Sequence, residues 1–190
     1  GMQIYREAAT GAHSKPVLAE MGGKNATIVT AHADIAKAVQ GVTRSAFGMS
    51  GQKCSACSRV FVDNRVKAEF LRRLADAAEA LTVGDPSDQA NWMGPVSTAN
   101  AYANYKRFVA DLAESGEIGT GGKTLDETGY YVAPTVVTDL PSDHALWQQE
   151  MFLPIVAVEG FDSLHDAMAR TNDIPFGLTA GIYTDKQAEI

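Results

Sequence analysis

Phe47-Gly48-Met49-Ser50-Gly51-Gln52-Lys53-Cys54-Ser55-Ala56-Cys57-Ser58-Arg59 carries the only two cysteines of the 190-residue chain. Upstream of it Asp34, Ile35, Ala38, Val39, Val42, Ala46 and Phe47 recur at helical spacing. Downstream, Arg59-Val60-Phe61-Val62 is short, apolar and rich in residues that suit a strand. The stretch therefore reads as a helix, a glycine-bearing turn and a strand, with Cys54 on the turn. A thiol attacks as its thiolate, so a reactive cysteine needs nearby donors or positive charge, and glycines leave backbone N–H groups free to face what the sulfur attacks. Gly51, Lys53 and Arg59 are the candidates for that supply.

The C-x-x-C spacing of Cys54 and Cys57 suits a dithiol pair, half a zinc site, or one nucleophile beside a structural neighbour. Zinc needs two further ligands, yet His13, His32, His144 and His165 stand singly and there is no second cysteine pair. A thioredoxin-like pair opens a helix after a strand, the reverse of the order here. The order therefore favours one nucleophile beside a structural neighbour, with no metal expected.

The same alternation extends outward. Residues 2 to 9 read as the end of a helix, followed by breakers from Gly11 to Pro16 and a strand, Val17-Leu18-Ala19, ending at Glu20 just before Gly22-Gly23. Such a place suits a working carboxylate, because open α/β sheets expose their functional groups at strand C-termini. Ala26-Thr27-Ile28-Val29 is the next strand. Val66, Phe70, Leu71, Leu74, Ala77, Ala78 and Leu81 form an apolar helical face, Gly84 to Asp88 a turn, and Ser97 the expected N-cap of a helix reaching Glu114. Tyr102, Tyr105 and Phe108 on that helix are packing residues. Glu117 to Lys123 is glycine-rich but lacks the phosphate-loop spacing and any following helix, so it is a short strand and a turn. Tyr130 to Val137 contains Pro134 and reads as an edge or irregular strand. Trp147 is a core residue and His144 has no catalytic partner. Ile155 to Val158, Ser163 to Arg170, Gly177 to Tyr183 and Lys186 onward read as strand, helix, strand and a beginning helix. This order predicts an α/β fold of three layers, a mostly parallel sheet with helices on both faces.

A content of 45% apolar and 8% aromatic residues supports a sizeable core. The 16 Lys and Arg against 23 Asp and Glu give a net charge of −7, and no basic run exceeds Arg72-Arg73, so nucleic acid is not an expected partner. No apolar run approaches the roughly 18 to 20 residues that span a bilayer. The expected setting is cytosolic, with reduced thiols.

Gly51-Gln52-Lys53-Cys54 with Ser58-Arg59 resembles the cysteine signature of the aldehyde dehydrogenase superfamily, and Leu18-Ala19-Glu20-Met21-Gly22-Gly23-Lys24-Asn25 resembles its glutamate signature. Gln149-Glu150-Met151-Phe152-Leu153-Pro154 is similar to the segment that holds the nicotinamide ribose, with Leu153 where many members have glycine. Within the superfamily the wording is most similar to the glutamate-semialdehyde, or 1-pyrroline-5-carboxylate, branch. The resemblance implies a catalytic-domain α/β fold, with residues 1–20 a remnant of the NAD-binding domain and 21–190 the catalytic domain. The parent it implies is well over twice this size and a homo-oligomer. It further implies Cys54 as nucleophile and Glu20 as the base that activates water. Glu150 and Phe152 would meet the nicotinamide ribose and ring, Gly22 would give close backbone approach, and Ser55 would touch the polar end of a small aldehyde, glutamate γ-semialdehyde above all. The cofactor implied is NAD, with NADP possible. Against this stands a second expectation, a non-catalytic module that binds protein or aldehyde without turnover. By itself the chain is expected to be inactive and to expose apolar surface.

Overall fold

A computed structural model describes residues 1–13, 15–126 and 129–190. The breaker run from Gly11 to Pro16 thus includes one residue, Ser14, outside the described set. Five α-helices and eight strands follow one another as α1 (Met2–Thr10), β1 (Asn25–Val29), α2 (Ile35–Phe47), β2 (Cys57–Asp63), α3 (Lys67–Glu79), α4 (Ala99–Ser115), β3 (Glu117–Thr120), β4 (Thr124–Asp126), β5 (Tyr131–Val132), β6 (Thr135–Thr138), β7 (Ile155–Phe161), α5 (Leu164–Asn172) and β8 (Ala180–Tyr183). Six strands form one sheet in the order β3-β6-β7-β2-β1-β8, parallel throughout except that β3 runs against β6. β4 and β5 make a separate antiparallel pair.

Strand alternation sorts the core into two clusters. Val60 and Val62 of β2 join Val42, Phe47, Phe70 and Leu74 of α2 and α3 on one side. Phe61 joins Tyr105, Phe108 and Leu112 of α4, with Trp147 and Ala167, on the other. Strands buried on both faces read as continuous apolar runs because helices cover each side. The expected three-layer arrangement and the packing role of Tyr102, Tyr105 and Phe108 are both seen.

Three local expectations are corrected. Residues 15–24 are irregular, so Glu20 does not end a strand. The short run at Val17 to Ala19 lies outside the sheet, with no strand paired to it among the described residues, and Leu18 is 89% exposed. Ser97 does not cap α4. Its N–H donates to Gln52 Oε1 (2.9 Å) and its hydroxyl accepts from Gln52 Nε2 (3.1 Å), so the cap falls to Thr98, whose Oγ1 accepts from Ala101 N at 3.0 Å. Finally, Tyr130 to Val137 is not one edge strand. It breaks at Ala133-Pro134, and β6 is paired on both sides, which Pro134 permits because its missing N–H falls before the ladder begins.

Candidate active site

Helix α2, opened by the Asp34 carboxylate accepting from Lys37 N, ends at Phe47 and passes into a one-turn 3-10 helix, Gly48–Gly51. Met49 (φ 54°) and Ser50 (φ 56°) lie in the left-handed region, and Gly51 (φ 67°) follows them there. For non-glycine residues this backbone is costly and must be held by its surroundings. Here Ser50 is buried and its hydroxyl donates to Gly94 O at 2.9 Å, while the Gln52–Ser97 pair ties the next residue to the same loop. A β-carbon at Gly51 would collide with the Leu153 carbonyl, so glycine is required for the 48–54 and 150–154 segments to meet.

Cys54 emerges from this turn exposed, and Cys57 is buried; both are free thiols. The Cys54 N–H donates to no acceptor among the described residues. Burial pushes the Cys57 thiol up, and its sulfur sits 3.3 Å from Thr27 Oγ1 and 3.4 Å from Arg59 O. Cys54 is thus the exposed thiol and Cys57 the buried one.

Glu150 reaches across to the glutamate motif. Its Oε1 accepts the Gly23 N–H at 2.9 Å, and Gly22, at φ 83°, leaves room beneath the carboxylate that any β-carbon would fill. A β-carbon at Gly23 would in turn strike the Cys54 carbonyl oxygen. The three motifs therefore converge on Gly22-Gly23. Phe152 is 43% exposed with φ 57°, its ring free beside a narrow cleft lined by Gly23, Lys53, Glu150 and Leu153, and Leu153 is buried in the core. Ser55, exposed, lines a hollow of about 370 Å³ with Thr27, Gly41, Ser45, Cys57 and Tyr183. Glu20 is exposed, and among the described residues it has neither a hydrogen bond nor an ion pair.

Arg59 corrects another expectation, since it does not serve the Cys54 thiol. Its side chain is buried and its guanidinium donates to the carbonyls of Lys24 (3.1 and 2.7 Å), Arg170 (3.1 Å) and Thr171 (3.0 Å), stapling β2 to the start of β1 and the end of α5. Burial lowers its pKa to about 10. The Lys53 ammonium lies over Gly48, 3.1 Å from where a β-carbon would stand.

Two residues of the glutamate motif were not singled out from sequence. Lys24 is 1% exposed, its Nζ has no hydrogen-bond partner, and burial followed by the Arg59 charge lowers its pKa to about 7, against the opposing pull of Cys57 and Glu150. Asn25 is buried, donating from Nδ2 to Cys54 O (2.7 Å) and Ala56 O (2.9 Å) and accepting at Oδ1 from Thr179 N (3.0 Å). The available signal was two polar side chains placed where the chain enters a buried strand, beside a glycine pair.

A buried-cysteine neighbour, an exposed cysteine on a glycine turn and a glycine-seated glutamate at one edge of a parallel sheet define the class. The sequence model of the Aldehyde dehydrogenase family matches residues 1–190, and the chain belongs to that family. Among relatives, it is 37% identical to the 1-pyrroline-5-carboxylate dehydrogenase of Geobacillus kaustophilus over 195 aligned positions, covering 100% of this chain and 38% of the relative. The crystal structure of 1-pyrroline-5-carboxylate dehydrogenase from Thermus with bound NAD superposes with a TM-score of 0.93 at 35% identity, over 99% of this chain and 37% of that one. Lactaldehyde dehydrogenase from Escherichia coli gives 0.86 at 34% identity, over 90% and 36%. The chain thus spans about 38% of the length of the curated relatives it matches.

Proposed function

We propose that this chain forms the cysteine-bearing part of an NAD-dependent aldehyde dehydrogenase, with NADP the alternative cofactor, acting on glutamate γ-semialdehyde. The observation that carries the proposal is the meeting of three distant motifs at Gly22-Gly23, with the Glu150 carboxylate above one glycine and the Cys54 carbonyl against the other. Relatives named 1-pyrroline-5-carboxylate dehydrogenase support the substrate. We assign residues 1–20 to the cofactor domain, because α1 buries none of its residues and Met2, Ile4, Tyr5 and Leu18 present apolar surface for packing. Residues 21–190 are then the catalytic domain, and the whole enzyme a homo-oligomer.

The residues present fit a nicotinamide nucleotide. Glu150 spends one lone pair on Gly23 and keeps acceptors for a ribose diol, and the exposed Phe152 ring offers a face to a planar heterocycle. Hydride acceptance is what that cofactor supplies when bound. The chain's own residues do the rest. The Cys54 sulfur bonds to the aldehyde carbon while its free amide faces the carbonyl oxygen as charge gathers there. Gly22 admits close approach, Ser55 contacts the polar end of the substrate, and Glu20 takes the proton of the water that releases the acid from the Cys54 thioester.

The test uses the purified 190-residue chain. Glutamate semialdehyde is expected to protect Cys54 from iodoacetamide, with Cys54→Ala as the blank that locates the label, and with negligible NADH formed because the chain is little more than a third of its relatives' length. Unprotected labelling of Cys54 at saturating aldehyde would defeat the proposal.

A further inference from the structure

We infer that Asn25 is a positioning residue for the Cys54 nucleophile, its carboxamide clamping the peptide plane that follows the cysteine and tying it to the chain entering β8. This rests on the proposed role of Cys54. The two Nδ2 hydrogens go to the carbonyls of Cys54 and Ala56, 2.7 and 2.9 Å away, and Oδ1 takes the Thr179 N–H at 3.0 Å. Three backbone polar groups are satisfied by one side chain that is only 5% exposed.

The geometry explains why the hold matters. Residues 53–56 form a turn closed by Ala56 N donating to Lys53 O at 3.1 Å, and such a turn can flip its central peptide. Asn25 grips a carbonyl inside the turn and another at its end, while Gly23 closes the space on the far side of the Cys54 oxygen. With the Cys54 carbonyl held, ψ of the nucleophile is held too, so the backbone that carries the sulfur and the unpaired N–H keeps one placement relative to Gly23 and β1. That placement is what an incoming carbonyl must match, its carbon at the sulfur and its oxygen at the amide. Pairing between β1 and β2 slips between Asn25 and Ala26, so Asn25 stands at the start of the ladder opposite Cys57, within reach of the turn before it.

Two variants separate the halves of the clamp. Asn25→Asp keeps an acceptor for Thr179 but turns a carboxylate oxygen toward two carbonyl oxygens; Asn25→Ala removes everything. Three readouts are taken on the 190-residue chain: the ¹³C signal of the Cys54 carbonyl, hydrogen exchange of the Thr179 amide, and the rate of aldehyde addition at Cys54 divided by its iodoacetamide rate. Both variants are expected to move the carbonyl signal and lower the ratio about tenfold, since small misplacement of a reacting group costs that order. Thr179 exchange is expected to quicken in Asn25→Ala and to stay near wild type in Asn25→Asp. Iodoacetamide, which makes no orientational demand, serves as the control for general loosening. A carbonyl signal unmoved in Asn25→Asp, or a ratio unchanged in both variants, overturns the inference. If wild type adds no aldehyde, the proposed function falls, and the carbonyl signal with Thr179 exchange still decides whether Asn25 holds the turn.

Discussion

Replacing Lys24 by methionine should stabilise the fold, and by an amount that depends on pH. The ammonium is 1% exposed and without a hydrogen-bond partner, and its pKa falls from 10.5 to about 7 on folding. That drop of about 3.5 units, at about 1.4 kcal/mol per unit, bounds the cost of carrying the charge inside at about 5 kcal/mol. Because the folded-state pKa lies below the unfolded one, the unfolded chain binds the proton more tightly between about pH 7 and 10.5. Wild-type stability from this group therefore rises with pH through that window, and below about pH 7 the full cost is carried. Methionine keeps the unbranched stem and drops the charge. With relaxation around the site reducing the bound, the expected gain is about 2–4 kcal/mol at pH 6.5, shrinking toward zero near pH 10.5. Urea unfolding of both proteins at several pH values measures it, since other titrating groups cancel in the difference. A loss of stability at pH 6.5, or a difference that does not change with pH, would show that Lys24 is paired or hydrated and refute the reasoning.

Two more predictions concern the cysteines and the glycine seat. At neutral pH iodoacetamide should label Cys54 at least about a hundredfold faster than Cys57, because only the first is exposed and burial holds the second as a thiol; peptide mapping decides, and equal labelling would remove Cys54 as nucleophile. Gly22→Ala should destabilise the chain by about 1–3 kcal/mol, from the left-handed φ of 83° and the collision with the Glu150 carboxylate. Adding Glu150→Ala should recover the collision part of that loss in thermal melts; strict additivity of the two substitutions would mean that the carboxylate is not seated there.

Local spacing carried most of the architecture. The helical recurrence ending at Phe47, the strand at Val60 to Val62 and the glycine turn between them appear as read, because α2, β2 and their turn are set by periodicity and backbone freedom over a few residues. Cys54 and Cys57 differ in exposure because the first stands on the turn and the second opens β2. What failed were statements about partners. Val17 to Ala19 has strand-like residues but no strand beside it among the described residues, Ser97 has a capping hydroxyl but loses it to Gln52, and Arg59 has a charge suited to a thiolate but spends it on three residues' carbonyls. Glu150 meets Gly23 across 127 positions, and Asn25 meets the nucleophile turn across 29. Composition and spacing determine which groups are polar, apolar or flexible. Which acceptor each buried donor finds is settled only when the sheet has chosen its order and register, since those choices bring distant backbone carbonyls within the 3 Å or so that a hydrogen bond requires.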